Sequence, residues 1–237
     1  MDGFNLYFGA RSVCGRGTRG WRWLDLRALS ERLLHPDWID RGAHVDRVVY
    51  CTARVSGVED RSSPADQEVY LRALRAHGSV DRIAFGTFVT RAKLAPLAER
   101  DERGRPRLAR ARWPIQTRDA CGADVPGATF MVFYLAREEK GTDVNLATHL
   151  LVDVLGRAVE AAVVISNDSD LELPIRVARE RVPVGVVNPG AGRPAGKLRG
   201  QPFDGVGGHW WQRIQEEAYR AHQLPQRVGV LCRPPGW

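Results

Sequence analysis

Lysine is nearly missing from this chain. Of 35 basic residues only Lys93, Lys140 and Lys197 are lysines. The net charge of +7 is therefore almost wholly arginine. Arginine keeps its proton and grips planar oxyanions through a fork of donors, so a polyanionic partner fits this balance. An arginine-favouring codon bias explains it equally well. Paired cysteines are missing too. Cys14, Cys51, Cys121 and Cys232 are scattered with no C-x-x-C, which excludes a zinc-ribbon or disulfide-framework reading. No apolar run reaches the roughly 18 residues of a membrane span. No basic segment leads into an apolar one near Met1, so the expected compartment is the cytoplasm, with no membrane partner.

What is present is a core's worth of apolar residues, 43% of 237, patterned in alternating helical and strand-like stretches. Residues 23–34 place Leu26, Leu29, Leu33 and Leu34 near one helical face. Residues 45–55 and 80–89 read as strands around a helix that starts at Pro64 and stops at Gly78. Residues 99–128 carry seven arginines and five acids and read as a surface loop or insertion. Strands at 129–135, 161–166 and 182–187 then alternate with helices at 143–155 and 170–181, and a short helix is expected within 210–222. This order argues for an α/β fold with parallel strands and crossover helices. Asp2 to Tyr7 reads as the acidic tip of a strand that is very short or missing, followed by a polar turn.

Ligands collect at the carboxyl ends of parallel strands. Three places bring aspartates there: Asp2; Asp143, after the 129–135 strand; and Asp168 with Asp170, after the 161–166 strand. Two carboxylates about 4 Å apart repel by roughly 4 kcal/mol at an effective dielectric of 20. A cluster of them needs protons, basic partners or a hard divalent cation such as Mg²⁺ or Mn²⁺. Taken singly, Asp143 and Asp170 are plain helix N-cap candidates, Asp168 a turn residue and Asp2 a solvated terminus.

The stretches "DGFNLYFG", "EEKGTDVNLATHLL" and "VVISNDSDL", in this order and spacing, resemble the NYN domain family of PIN-like nucleases. The resemblance implies a three-layer α/β/α fold with a mainly parallel central sheet. It spans a catalytic domain over 1–190, with the basic insertion at about 99–128, and a C-terminal extension over 191–237 packed on it. It also implies a metal-dependent ribonuclease. Asp2, Asp143, Asp168 and Asp170 would hold Mg²⁺ or Mn²⁺, Asn5, Ser166 and Ser169 would orient acids or phosphate, and Lys140 would meet a phosphate. In-line attack by metal-bound water on phosphorus would follow. RNA is the implied partner, with DNA as the alternative substrate, and a homo-oligomer is compatible. The competing expectation is a regulatory protein that binds RNA on the same fold without cutting it.

Other features point less far. Gly15–Gly20, "GRGTRG", matches G-x-G-x-x-G but follows no clear strand, so a flexible basic loop is the expectation. Phe4 stands two residues after Asp2, where an aspartyl phosphatase needs a second acid. His35, His44, His77, His149, His209 and His222 show no ligand spacing. Glu138 and Glu139 read as a solvated pair, and Trp210 and Trp211 as anchors of the terminal helix. The 99–128 segment reads as solvated loop or, functionally, as a flap that guides substrate.

Overall fold

The computed structural model describes residues 1–55, 62–111 and 116–237; part of the 99–128 segment, residues 112–115, lies outside them. The chain divides into two compact units, Met1–Phe88 with Glu139–Trp237, and Val89–Glu138.

The first unit opens with α1 (Gly3–Cys14), α2 (Leu26–Arg32), α3 (Pro36–Asp40), β1 (Val49–Ala53), α4 (Ser62–Ala76) and the start of β2 (Arg82–Pro96). Helix α1 replaces the expected strand tip and turn. Leu6, Ala10 and Cys14, spaced by four, are its buried stripe. The Asp2 side chain accepts from the backbone N–H groups of Phe4 and Asn5 and so caps the helix. Asp25 caps α2 in the same way and also accepts from Ser79 Oγ.

The second unit holds the rest of β2, the hairpin of β3 (Ala98–Arg100) and β4 (Pro106–Leu108), and most of β5 (Met131–Lys140). The β3–β4 pairing is antiparallel, and Arg107 and Arg105 lie on Glu99 and Asp101. The charges of this segment are thus partly spent on each other, and part of the expected loop is strand.

The first unit resumes with α5 (Thr142–Leu155), β6 (Ala162–Ile165), a 3-10 turn (Ser169–Leu171), α6 (Glu172–Arg179), β7 (Val184–Asn188), α7 (Gly196–Arg199), β8 (Trp210–Arg213), α8 (Glu216–Ala221), β9 (Arg227–Val228) and β10 (Leu231–Cys232). Trp210 and Trp211 sit on strand β8, not on the expected helix, because β8 pairs in parallel with β7. Gly185 makes that pairing fit: a Cβ there would overlap the Trp210 ring. The ring packs near His35 and Trp38.

The molecule is a mixed α/β protein. Among the described residues the sheets are several and small rather than one mainly parallel sheet: β1-β2-β5, β6-β7-β8, β3-β4 and β9-β10. Pairing is parallel in β1/β2 and in β6/β7/β8, and antiparallel in β3/β4 and β9/β10. Sheets β1-β2-β5 and β6-β7-β8 are joined through Met1 and Asp2, since Cys51 N donates to Met1 O and Asp2 N to Ile165 O. One core gathers Leu6, Trp21, Trp23, Leu29, Leu71 and Ile165; a second gathers Leu146, Val164, Leu171, Ile175 and Val184. No helix among the described residues is long and apolar enough to cross a membrane.

Candidate functional site

The carboxyl ends of β1 and β6 and the start of α5 bring the expected acids to one edge of the first unit. Asp2 is its centre and is 3% exposed. Its Oδ1 accepts from Phe4 N at 3.1 Å and Asn5 N at 3.0 Å. Its Oδ2 accepts from Asn5 Nδ2 at 2.6 Å and Ser166 Oγ at 2.9 Å. Four donors therefore satisfy one carboxylate, which is what a buried charge needs.

The network continues outward. Ser166 Oγ accepts from Asp168 N at 3.2 Å, and Asn5 Oδ1 from Asn167 N at 3.3 Å. Asp168 Oδ1 accepts from Asp170 N at 2.9 Å and caps the 3-10 turn. Asn5 and Ser166 thus both hydrogen-bond the Asp2 carboxylate. Ser169, Asp170 and Lys140 are exposed, Ser169 and Asp170 in the 3-10 turn and Lys140 at the end of β5.

Asp143 is different. It lies in the first turn of α5, yet the cap position is Gly141, in the left-handed region at φ 95°. No hydrogen bond to its carboxylate is present among the described residues. Burial, then the charges of Asp2, Asp168, Glu139 and Asp170, raise its pKa from the ordinary 3.8 to about 6. A helix N-terminus favours a negative charge by about 0.3–1 kcal/mol. The upward direction shows that burial and repulsion outweigh the dipole here.

Two contributors were not legible as such. Glu139, expected to be solvated beside Glu138, turns its Oε1 to accept from Thr142 N at 3.0 Å. It thereby caps α5 and adds to the charge facing Asp143. Gly86 of β2 makes room for it, since a Cβ there would overlap Glu139 Oε1 and stand 2.6 Å from Lys140 O. Thr142 Oγ1 is buried at the same edge with no hydrogen-bond partner among the described residues.

The geometry corrects the metal assignment. Among the described residues no group of three or more His, Cys, Asp or Glu side chains is disposed to hold a metal ion. Asp2, the intended corner ligand, has its oxygens engaged by four protein donors.

No family model matches the chain, and no solved structure does. The chain is similar to a curated protein named 6-hydroxy-3-succinoylpyridine 3-monooxygenase, from Pseudomonas putida. The two are 27% identical over 260 aligned residues, covering 100% of this chain and 73% of that protein. This finding overturns the expected activity. A likeness to a monooxygenase along the whole chain points to oxidative chemistry, not to phosphodiester hydrolysis. The reading as a metal-dependent nuclease or RNA-binding relative of one, and with it the Mg²⁺ or Mn²⁺ cofactor, is withdrawn on that ground.

Proposed function

We propose that this chain is an oxidoreductase of the monooxygenase class acting on a small, carboxylated, hydroxylated pyridine or a close heteroaromatic relative. The observation that carries the reading is the likeness to the monooxygenase along the whole chain. In such a reaction one atom of O₂ enters the substrate as an oxygen substituent. The other leaves as water, which takes two electrons and two protons from a reductant.

The acidic edge supports a part in that proton traffic. A group with a pKa of about 6 gives up and takes back a proton near neutral pH, the condition for general acid–base work. Asp143 is that group. A hydroxypyridine presents O–H and ring N–H donors, and ionised carboxylates are acceptors only. Asp168 and Asp170 suit those donors. Gly15–Gly20 follows the C-terminus of α1 rather than a strand, so it lacks the strand-to-helix setting of a dinucleotide cradle. In this reading the reducing equivalents would come from a reduced nicotinamide or reduced flavin held elsewhere than at Gly15–Gly20.

The finer fold belongs to the same proposal: a three-layer, PIN-like arrangement of the kind the NYN-like motifs imply. The parallel pairs β1/β2 and β6/β7/β8 with their crossover helices support it.

The test is oxygen uptake by the purified protein with 6-hydroxy-3-succinoylpyridine, a reduced nicotinamide and added flavin, with ¹⁸O₂ incorporation read by mass spectrometry. Substrate-dependent uptake, one labelled atom in the product, and a drop in kcat of roughly 10²-fold in Asp143→Asn are expected. Absence of uptake across a panel of hydroxypyridine carboxylates would overturn the reading. So would cleavage of labelled RNA that disappears in Asp143→Asn.

A further inference from the structure

Arg179, the last residue of α6, is 4% exposed. The segment 200–209, between α7 and β8, folds around it. Arg179 Nη2 donates to Leu198 O at 2.9 Å and to Arg199 O at 3.0 Å, and Arg179 O accepts from Val206 N at 3.0 Å. Gly200 and Gly205 permit this close wrap. Both have positive φ, and a Cβ would overlap Arg179 Nη1 at one and Arg179 O at the other. Within the segment, Gln201 N donates to Asp204 Oδ2 at 2.7 Å and Gly207 N to Asp204 O at 3.0 Å.

His209, 5% exposed, closes the wrap. Its Nδ1 lies 3.0 Å from Val184 N and its Nε2 2.5 Å from Asp204 O. A backbone N–H only donates and a carbonyl only accepts, so Nδ1 is the bare nitrogen and Nε2 carries the proton. The neutral ring therefore satisfies one donor of β7 and one acceptor of the segment. It stands beside the first rung of the β7/β8 pairing, Gly185 with Trp210.

A second proton has no place on this ring. It would have to sit on Nδ1, where the Val184 N–H already points. Donor would then face donor, and the bond would be lost. The charged groups around the ring are Arg179 and Glu180 from the end of α6 and Asp204 from the segment; Pro183 and Val184, on the β7 side, add none. Burial, with Arg179, pulls the His209 pKa below the ordinary 6.5 against Asp204 and Glu180.

We propose that His209 is an acid-sensitive latch: a proton taken up at Nδ1 breaks the bond to Val184 N and frees residues 200–208 from α6 and β7. The opened segment binds that proton at about the ordinary 6.5 and the closed one only at lower pH, so falling pH favours opening. The opening equilibrium rises by at most about tenfold per pH unit below that value, and so by up to roughly 30-fold at pH 5.

The test is amide hydrogen exchange of the full chain at pH 7.5 and pH 5, corrected for intrinsic rates, beside His209→Asn. Asparagine offers Val184 N an oxygen in place of Nδ1 and does not titrate. In the natural chain, protection of Val184, Val206 and Gly207 is expected to fall by about ten-fold or more at pH 5, with no such fall in the variant. Asp143 takes up its own proton near this window with the opposite effect on global stability. The reading is therefore local and is the difference between the two proteins. Equal protection at both pH values in the natural chain, or an equal fall in His209→Asn, would overturn the proposal. NMR of the imidazole in the natural chain is independent of how the variant folds. A midpoint at or above 6.5, or a proton on Nδ1 at pH 7.5, would overturn it too.

Discussion

Replacing Asp143 by asparagine tests the electrostatics of the acidic edge without touching its shape. The carboxyl titrates at about 6 instead of 3.8. At about 1.36 kcal/mol per pKa unit, that displacement corresponds at face value to about 3 kcal/mol. Asp143 is only half-buried, and solvent screening cuts the figure to about 1–2 kcal/mol. The sign follows from proton linkage. Between about pH 4 and 6 the folded chain holds the Asp143 proton while the unfolded chain has released it. Raising the pH through this window therefore costs stability, and above about 6 the loss is complete. The asparagine amide carries no such charge. Asp143→Asn should match the natural chain at pH 4 and exceed it at pH 8 by about 3–6 °C in Tm. Differential scanning calorimetry of both proteins from pH 4 to 8 reads the difference, which isolates this one group from the other acids. A variant that is less stable at pH 8, or a Tm difference that does not vary with pH, would refute the argument.

Two further outcomes follow from the same contacts. Asp2→Ala removes the cap of α1 and leaves the Asn5 Nδ2 and Ser166 Oγ donors without their acceptor, for a loss of about 2–4 kcal/mol in urea denaturation; Asp2→Asn should lose clearly less, because asparagine also caps. Gly185→Ala drives a methyl into the Trp210 ring and should cost about 1–3 kcal/mol, with a changed near-UV tryptophan signal.

Local pattern made most elements legible. The 143–155 helix and the 161–166 and 182–187 strands are close to α5, β6 and β7, because an amphipathic stripe and a buried β-branched run are properties of the segment itself. Two elements depended on distant partners. Helix α1 was hidden by its aromatics, although Leu6, Ala10 and Cys14 already carried a helical spacing. Strand β8 was hidden by a tryptophan-rich segment whose conformation is set by β7 and by the missing side chain of Gly185. Arg179 is a similar case. It lies in a basic helix end, yet it is 4% exposed and donates from Nη2 to the carbonyls of Leu198 and Arg199. Only the fold brings α7 to it.

The site divides along the same line. Strand-end position was enough to gather Asp2, Asp143 and Asp168 at one edge, but not to say what each carboxylate does there. That is decided by donors. Asp2 and Ser166, 164 residues apart, meet only once β6 is in place, and with Asn5 they turn a strand-end acid into a satisfied cap. Asp143 stands beside the same charges with no donor of its own among the described residues, so burial and its neighbours act on it uncompensated. A cluster of equivalent carboxylates would call for a cation. Here one member, Asp2, is satisfied by four protein donors, Asp168 caps the 3-10 turn, and Asp143 has its pKa raised by burial and its neighbours. The inequality among the acids, rather than their number, is what sets Asp143 apart as the member whose pKa is raised.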